Sequence, residues 1–231
     1  MILFYILLFI GLSNGLKIIS SKAAGLKGFY MLGVSRFIKE NYNLDDTIFY
    51  GASAGSWNSL YLSNKNPDDE LFNFMTKLDS KSFKNMYEIE LAMSNYILSY
   101  YSEKDFNLQN LNTCVSIFKK CKFEKKIYNN FKSLHDTLNC CMASSHIPYI
   151  TSGSLYYNYK NTPSVDGGFF ENPHPNDIFP NLVISSDMWN NTSIYEYTSL
   201  IDIKKLEIQK FVNHGYEDSY RNKDTLDILL R

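Results

Sequence analysis

Residues 51–55 read Gly-Ala-Ser-Ala-Gly and carry the clearest chemical signal in this chain. They follow a β-rich run at 47–50 and precede a helix-like segment at 54–62, the setting that a G-x-S-x-G nucleophile elbow requires. Because the chain must turn sharply at the serine, small residues are needed two positions before and after it, here Gly51 and Gly55. The pattern therefore predicts Ser53 as a nucleophile beside a helix N-terminus, where a developing negative charge is favoured.

A serine hydroxyl needs a base to take its proton, and the sequence offers Asp166 at the start of an Asp-Gly-Gly segment. Backbone N–H groups of Gly167 and Gly168 would favour the ionised carboxylate, and glycines allow the loop to approach the serine closely. The alternative is a histidine base, because His174 and His214 follow Asp166 in the chain order serine, aspartate, histidine. The early position of the elbow, after a single candidate strand, argues against that alternative.

A small-residue segment at 23–28, Ala-Ala-Gly-Leu-Lys-Gly, is the third candidate part of the site. It lies between the first predicted strand and the first predicted helix, and its N–H groups could converge on the oxygen of a tetrahedral intermediate. The candidate oxyanion residues are Ala24, Gly25, Lys27 and Gly28. Removing one such donor typically costs ~3 kcal/mol of transition-state stabilisation.

The elements that must position these residues alternate between strand and helix. A strand at 16–20, a helix through 29–38, a strand at 47–50 and a helix at 54–62 are typical of βαβ units in a parallel sheet. The later segments predict helix over 68–107, paired strands at 112–118 and 122–127, a helix at 134–143, a buried strand at 182–185 and an amphipathic surface helix at 202–220. An α/β fold with a mainly parallel central sheet follows.

Length and composition exclude several classes of protein. The chain has 231 residues, a net charge of −1 and 45% apolar residues, which is globular composition and argues against a nucleic-acid-binding role. Residues 1–15 predict a signal peptide, since an apolar run at 2–12 is too short to span a bilayer and is followed by small residues. We therefore expect one domain at 16–231 and a secreted or lumenal location.

Two further patterns bear on a secretory route. Overlapping acceptor triplets at 190–192 and 191–193 predict N-glycosylation sites. Of the four cysteines, Cys114 and Cys121 could form a disulfide if they lie opposite each other in a hairpin, and otherwise the cysteines are read as small core residues. No cysteine spacing resembles a zinc site.

In this order, the three motifs resemble those of the patatin-like phospholipase family. The family has Gly-Gly-Gly-x-Arg/Lys-Gly after the first strand, then G-x-S-x-G, then Asp-Gly-Gly/Ala, and the small-residue stretch 143–148 and the Asn-Pro at 172–173 also match. The resemblance covers residues 16–187. It departs at Ala23 and Ala24, where the family has glycine and where alanine in a positive-φ position would cost roughly 1 kcal/mol.

The resemblance implies a three-layer α/β/α sandwich and a Ser53–Asp166 dyad that hydrolyses acyl esters of phospholipids or neutral lipids. It implies no metal or organic cofactor, and gives Lys27 a role in ordering the oxyanion loop or orienting an anionic head group. A membrane or lipid-droplet surface is an expected partner, with Tyr149, Tyr156, Tyr157 and Tyr159 as candidate contacts or, alternatively, packed aromatics. A catalytically weak or silent lipid-binding relative remains a second interpretation.

Overall fold

The computed structural model describes residues 16–66, 69–189 and 201–231. The predicted signal peptide and both predicted glycosylation triplets lie outside these described residues. In the described part of the chain, seven strands form one sheet: β1 Lys17–Ser21, β2 Thr47–Ala52, β3 Leu111–Lys119, β4 Lys122–Tyr128, β5 Tyr157–Tyr159, β6 Thr162–Val165 and β7 Leu182–Ile184. The described α-helices are α1 Gly28–Asn41, α2 Ala54–Ser63, α3 Glu70–Lys77, α4 Met86–Tyr100, α5 Leu134–Ser144, α6 Ile208–Arg221 and α7 Lys223–Leu230.

The sheet has the order β5-β6-β3-β2-β1-β7, with β4 on the other side of β3. Strands β7, β1, β2 and β3 are parallel neighbours, whereas β4 and β6 run antiparallel to β3 and β5 runs antiparallel to β6. Helices flank this sheet, so the predicted α/β fold with a mainly parallel central sheet is confirmed. Its antiparallel part, β4 to β6, was not foreseen beyond the β3–β4 hairpin.

The parallel strands are apolar because both of their faces are covered. Every residue of β2 except Ile48 is buried, and α2, which follows it, is buried at every position after Ala54. Helices α1 and α6 cross at two glycines: a Cβ on Gly33 would lie 2.0 Å from the Val212 carbonyl oxygen, and one on Gly215 would lie 1.9 Å from that of Tyr30. The helix after the first strand is thus held by direct backbone contact with the C-terminal part of the chain.

The register on β3 brings two distant parts of the chain together. Strand β2 pairs with the first half of β3, ending with Ala52 opposite Cys114, and β6 pairs with the second half, ending with Val165 opposite Ser116. Strand β4 pairs with β3 along both halves, so it occupies the opposite edge and leaves β2 and β6 on the same one. Because β2 is parallel and β6 antiparallel to β3, their carboxyl ends meet head to head.

Three sequence predictions need correction. The segment 68–107 is not one helix: α3 and α4 are separated at Asp79 and Asn85, whose side chains accept hydrogen bonds from nearby N–H groups. The amphipathic tail helix begins at Ile208, after a 3-10 turn capped by Asp202, and is followed by α7.

The suggested Cys114–Cys121 disulfide is also wrong. Both thiols are free, because Cys121 lies in the β3–β4 turn, whereas Cys114 pairs with Ile127 five residues before the end of β3, about 17 Å away along the strand. Cys114, Cys140 and Cys141 are buried in the core, as the other interpretation expected, whereas that interpretation is wrong for Cys121, which is exposed in the turn. Among the described residues, no helix combines the length and apolar character needed to cross a membrane.

Candidate active site

Ser53 occupies a strained turn between β2 and α2. Its backbone has φ 54° and ψ −129°, a conformation that non-glycine residues rarely adopt. The Ser53 N–H donates a hydrogen bond of 2.8 Å to the Ser144 hydroxyl, which in turn donates one of 2.6 Å to the Cys114 carbonyl. The neighbouring α5 and β3 therefore hold the strained serine in place, as expected of strain stored at a functional site.

The two glycines of the pentapeptide are required by close backbone approach. A Cβ on Gly51 would lie 2.4 Å from the Gly55 carbonyl oxygen, on the far side of the turn. A Cβ on Gly55 would lie 2.0 Å from the Ser21 carbonyl oxygen and 2.5 Å from that of Lys22. The first turn of α2 thus rests directly on the end of β1, which the sequence argument anticipated only in general terms.

Asp166 follows β6 at the point where this strand meets the end of β2. Its backbone is fixed from both sides: its N–H donates to the His146 carbonyl at 2.8 Å, and its carbonyl accepts from the Ser116 hydroxyl at 2.7 Å. The carboxylate is buried, and its Oδ1 accepts a 2.6 Å hydrogen bond from the Gly168 N–H. Its Oδ2 is buried without a hydrogen bond of normal geometry, although the carboxylate interacts with the Ser53 hydroxyl.

Burial controls the acidity of this carboxylate. Loss of hydration raises the pKa of Asp166 to about 6, and the Ser53 hydroxyl and the Gly168 N–H oppose this rise by stabilising the charged form. The group is therefore mostly ionised at neutral pH and binds a proton more readily than an exposed aspartate. These are the properties that a general base needs near neutral pH.

The glycines after Asp166 join three parts of the site. A Cβ on Gly167 would lie 2.2 Å from the Cys114 carbonyl oxygen, so this residue sits directly against β3. A Cβ on Gly168 would lie 2.6 Å from the Cβ of Ala23 and 2.7 Å from the Asp166 Oδ1. The Asp-Gly-Gly turn therefore contacts the 23–28 loop, and the two predicted loops lie together.

The loop at 23–28 has its positive φ at Gly25, at 54°, whereas Ala24 has φ −148° and Ala23 is not among the positive-φ residues. The alanines therefore do not incur the backbone cost that the sequence raised. Residues Gly25–Lys27 form a single 3-10 turn leading into α1, and a Cβ on Gly28 would lie 2.5 Å from that of Ala54.

The Lys27 side chain of this loop is buried. Desolvation lowers the pKa of Lys27, and the negative charge of the Asp187 carboxylate opposes that change.

Ser53 lies between two cavities of different character. One, of about 60 Å³, is mainly apolar and extends between α2 and α4, with Trp57, Met86, Ile89 and Met93 in its lining. The other, of about 480 Å³, is more open and is lined by Lys27, Asp166 and Phe169. Ser53 and Gly25 line both cavities, so the serine and the glycine of the loop mark the boundary between them.

The apolar cavity contains a buried acid that the sequence analysis missed. The Glu90 side chain lies in its lining, interacts with Ser145 and Trp57, and has one buried oxygen, Oε2, without a hydrogen-bond partner. Burial raises the pKa of Glu90 to about 8, and the nearby negative charge of Asp166 adds to the rise. Helical spacing could have indicated this burial, because Glu90 lies four residues after Met86 and seven before Ile97 and so shares the apolar face of α4.

The two candidate histidines, His174 and His214, lie elsewhere, whereas His146 contacts the site only through its backbone carbonyl, which accepts from the Asp166 N–H. The His174 ring Nδ1 is hydrogen-bonded to the Ser20 hydroxyl at 2.8 Å, and His214 lies on α6. No histidine is among the described residues that line either cavity at Ser53. Within the described ranges there is also no group of three His, Cys, Asp or Glu side chains placed to hold a metal ion.

The four tyrosines suggested as surface contacts separate into two groups. Tyr149 and Tyr156 are largely exposed, as a contact role requires. Tyr157 donates to Asn139 at 2.8 Å, and Tyr159 is buried and donates to Asp136 at 2.9 Å, so these two are packed residues. The packing interpretation holds for the second pair.

Comparison with known proteins agrees with this geometry. A family model described as patatin-like phospholipase matches residues 22–179, which include the 23–28 loop, the elbow at Ser53 and the turn at Asp166. No curated protein matches the chain. Because the matched segment covers more than half of the sequence, the chain belongs to the patatin-like phospholipase family.

Proposed function

We propose that this protein hydrolyses acyl esters of lipids with Ser53 as the nucleophile and Asp166 as the general base. Membership in the family implies lipid acyl hydrolase activity, and the two roles are our assignment. The observation that carries it is the interaction of the Ser53 hydroxyl with a buried carboxylate at the boundary of two cavities. The absence of an imidazole from the described linings favours a dyad over the histidine-dependent alternative.

In the proposed reaction, the Ser53 hydroxyl oxygen attacks the ester carbonyl carbon while its proton moves to Asp166. The negative charge that develops on the carbonyl oxygen is stabilised by the N–H groups of Gly25 and of Ala54, the first residue of α2. When the C–O bond to the alcohol breaks, the alcohol takes the proton from Asp166 and leaves an acyl-serine. Water then attacks this ester, gives its proton to Asp166 and releases the acid, with the proton returned to Ser53.

The two cavities match the two sides of an ester bond in polarity. At about 60 Å³, the apolar cavity between α2 and α4 has room for the first carbons of an acyl chain next to the ester, whereas the open cavity suits the alcohol or head group. Lys27 lines the open cavity and would favour an anionic head group there. Both a phospholipid and a neutral glyceride supply an apolar acyl chain. Only a phospholipid also supplies an anionic head group for Lys27.

The dyad is tested by substituting each member without changing its size. We expect Ser53→Ala and Asp166→Asn to lower ester hydrolysis by a factor on the order of 10³ or more while the circular dichroism spectrum is retained. His174→Ala and His214→Ala are the control variants, and we expect both to keep activity near that of the parent. Full activity in either dyad variant, or its loss in a histidine variant, would contradict the assignment.

A fluorophosphonate probe separates the enzyme from a silent lipid-binding relative. Only an activated serine reacts with this reagent, so we expect labelling of the parent protein and none of Ser53→Ala. An unlabelled parent protein that still binds lipid would favour the silent relative. For location, we propose the secretory lumen or the exterior, on the basis of the predicted signal peptide alone.

A further inference from the structure

The β3–β4 hairpin projects beyond the catalytic edge of the sheet. Strand β2 ends opposite Cys114, so the part of β3 after this residue extends roughly 15 Å past the end of β2, next to the Ser53 turn. Its partner strand β4 returns in register, with Phe118 opposite Phe123. Residues 118–123 at the tip are all exposed, and no other described strand covers them.

Three phenylalanines at this place form one exposed aromatic cluster. The rings of Phe118 and Phe123 are 5.4 Å apart, and the Phe123 ring stacks on that of Phe169 at 5.0 Å. The side chains are 50%, 44% and 55% exposed, respectively. Phe169 also lines the open cavity at Ser53, so the aromatic cluster is continuous with the mouth of the site. Exposed apolar groups that are clustered in this way mark an interaction surface.

The same hairpin concentrates positive charge. Residues 118–126 contain five lysines and one glutamate, a net charge of +4 in a chain whose overall net charge is −1. Lys119, Lys120 and Lys122 at the tip are exposed. The paired Lys119 and Lys122 lie on the face of the hairpin opposite to Phe118 and Phe123, so a surface that the tip approaches end-on meets both the lysines and the rings. Aromatic rings next to lysines are suited to an anionic lipid surface, where rings insert at the head-group level and basic side chains meet negative charge.

We propose that the tip of the β3–β4 hairpin, together with Phe169, docks the protein onto an anionic phospholipid bilayer with the open cavity facing the lipid. The occupant is identified by charge complementarity and by continuity with the cavity that would receive the head group. This inference rests on the proposed function for its purpose, because a docked protein draws a lipid ester directly from the bilayer towards Ser53. Binding of the hairpin to a charged lipid surface does not require that the protein hydrolyse an ester.

The experiment measures binding of the full chain to sedimented vesicles of non-hydrolysable ether phosphatidylcholine, with and without ether phosphatidylserine. We expect binding only with phosphatidylserine, and weaker binding as salt is raised. The triple variant Lys119→Gln, Lys120→Gln, Lys122→Gln should bind about 100-fold more weakly, since each basic residue near an anionic surface contributes about fivefold. The double variant Phe118→Ser, Phe123→Ser should lose about tenfold through the lost insertion of two rings.

Matched controls remove the same groups from the opposite end of the sheet. Lys65, Lys104 and Lys132 are exposed near the starts of β2 and α5, and Phe179, 88% exposed, lies near the start of β7. The triple glutamine variant of these lysines and Phe179→Ser should bind as the parent does. Equal binding of hairpin and control variants, or equal binding to both lipid mixtures, would overturn the proposal. The proposal would also be overturned if the phenylalanine variant bound vesicles as the parent does and light scattering showed that it had lost self-association.

A soluble short-chain ester separates this inference from the proposed function. The hairpin variants should hydrolyse it at the parent rate, because the substituted side chains lie outside the Ser53 and Asp166 contacts. If the parent binds anionic vesicles but hydrolyses no ester, the proposed function fails and the docking surface stands. If hydrolysis depends on Ser53 but the protein binds no vesicle, the proposed function stands and the docking surface fails.

Discussion

The buried acid in the apolar cavity makes a quantitative prediction about stability. The pKa of Glu90 is about 8 in the folded protein and 4.5 in a model peptide, which stands for the unfolded chain. Below pH 4.5 both states hold the proton; above it the unfolded state releases its proton first, which favours unfolding. Stability is therefore fully present at low pH and falls as the pH rises towards 8, by up to ~1.4 kcal/mol per pH unit.

We expect Glu90→Gln to remove this dependence, since glutamine has a similar shape and does not ionise. Relative to the parent, the variant should gain roughly 3 kcal/mol in free energy of unfolding between pH 4.5 and pH 7, and the gain should level off above pH 8. Urea denaturation at pH 5, 6, 7 and 8 measures this difference.

Asp166 also has a raised pKa, and it would add a slope of the same sign at lower pH. The comparison is therefore repeated in an Asp166→Asn background, where only Glu90 contributes. A difference between parent and variant that does not change with pH in this background would show that Glu90 is solvated or already charged. The reasoning about the cavity would then be wrong.

Two further predictions concern the catalytic site. Because the pKa of Asp166 is about 6 and the base must be ionised, kcat/KM for a soluble ester should fall about tenfold per pH unit below pH 6 and be flat just above neutrality; an acid limb near pH 4 would contradict the burial of this carboxylate. Gly55→Ala should destabilise the protein by about 3 kcal/mol and lower activity, since its Cβ would lie 2.0 Å from the Ser21 carbonyl. Gly153→Ala is the control, because no heavy atom lies within 4 Å and only its φ of 78° opposes alanine, at a cost of about 1 kcal/mol; equal losses in thermal melts would refute the steric argument.

The parts of the site that could be predicted are those governed by local sterics. A serine flanked by small residues between a strand and a helix predicts a nucleophile elbow. The strained backbone angles at Ser53 follow from the close backbone approach at Gly51 and Gly55. The positive φ of the 23–28 loop also falls on a glycine, Gly25. The predicted helix over 68–107 failed for a local reason as well, since the capping roles of Asp79 and Asn85 were overlooked.

Features that depend on distant contacts were beyond sequence reasoning. Glu90 is surrounded by apolar and aromatic side chains from α2, α3 and α4. The sequence of α4 alone does not predict that this face of the helix borders Ser53. The exposed ring cluster likewise joins two residues of the β3–β4 hairpin to Phe169, which lies about 50 residues further along the chain. Whether Cys114 and Cys121 could pair was likewise undecided in the sequence, because the answer depends on the register of β3 and β4.

The sequence by itself determined the parallel strand-helix units, the elbow at Ser53 and the turn at Asp166, because each is set by neighbouring residues within one turn of the backbone. Only the tertiary structure decided that the two meet. The register of β3 aligns the ends of β2 and β6 head to head, and burial at this junction raises the pKa of the carboxyl group. Hydrogen-bond pairing and loss of water are properties of the assembled sheet, so no single segment of the chain encodes them.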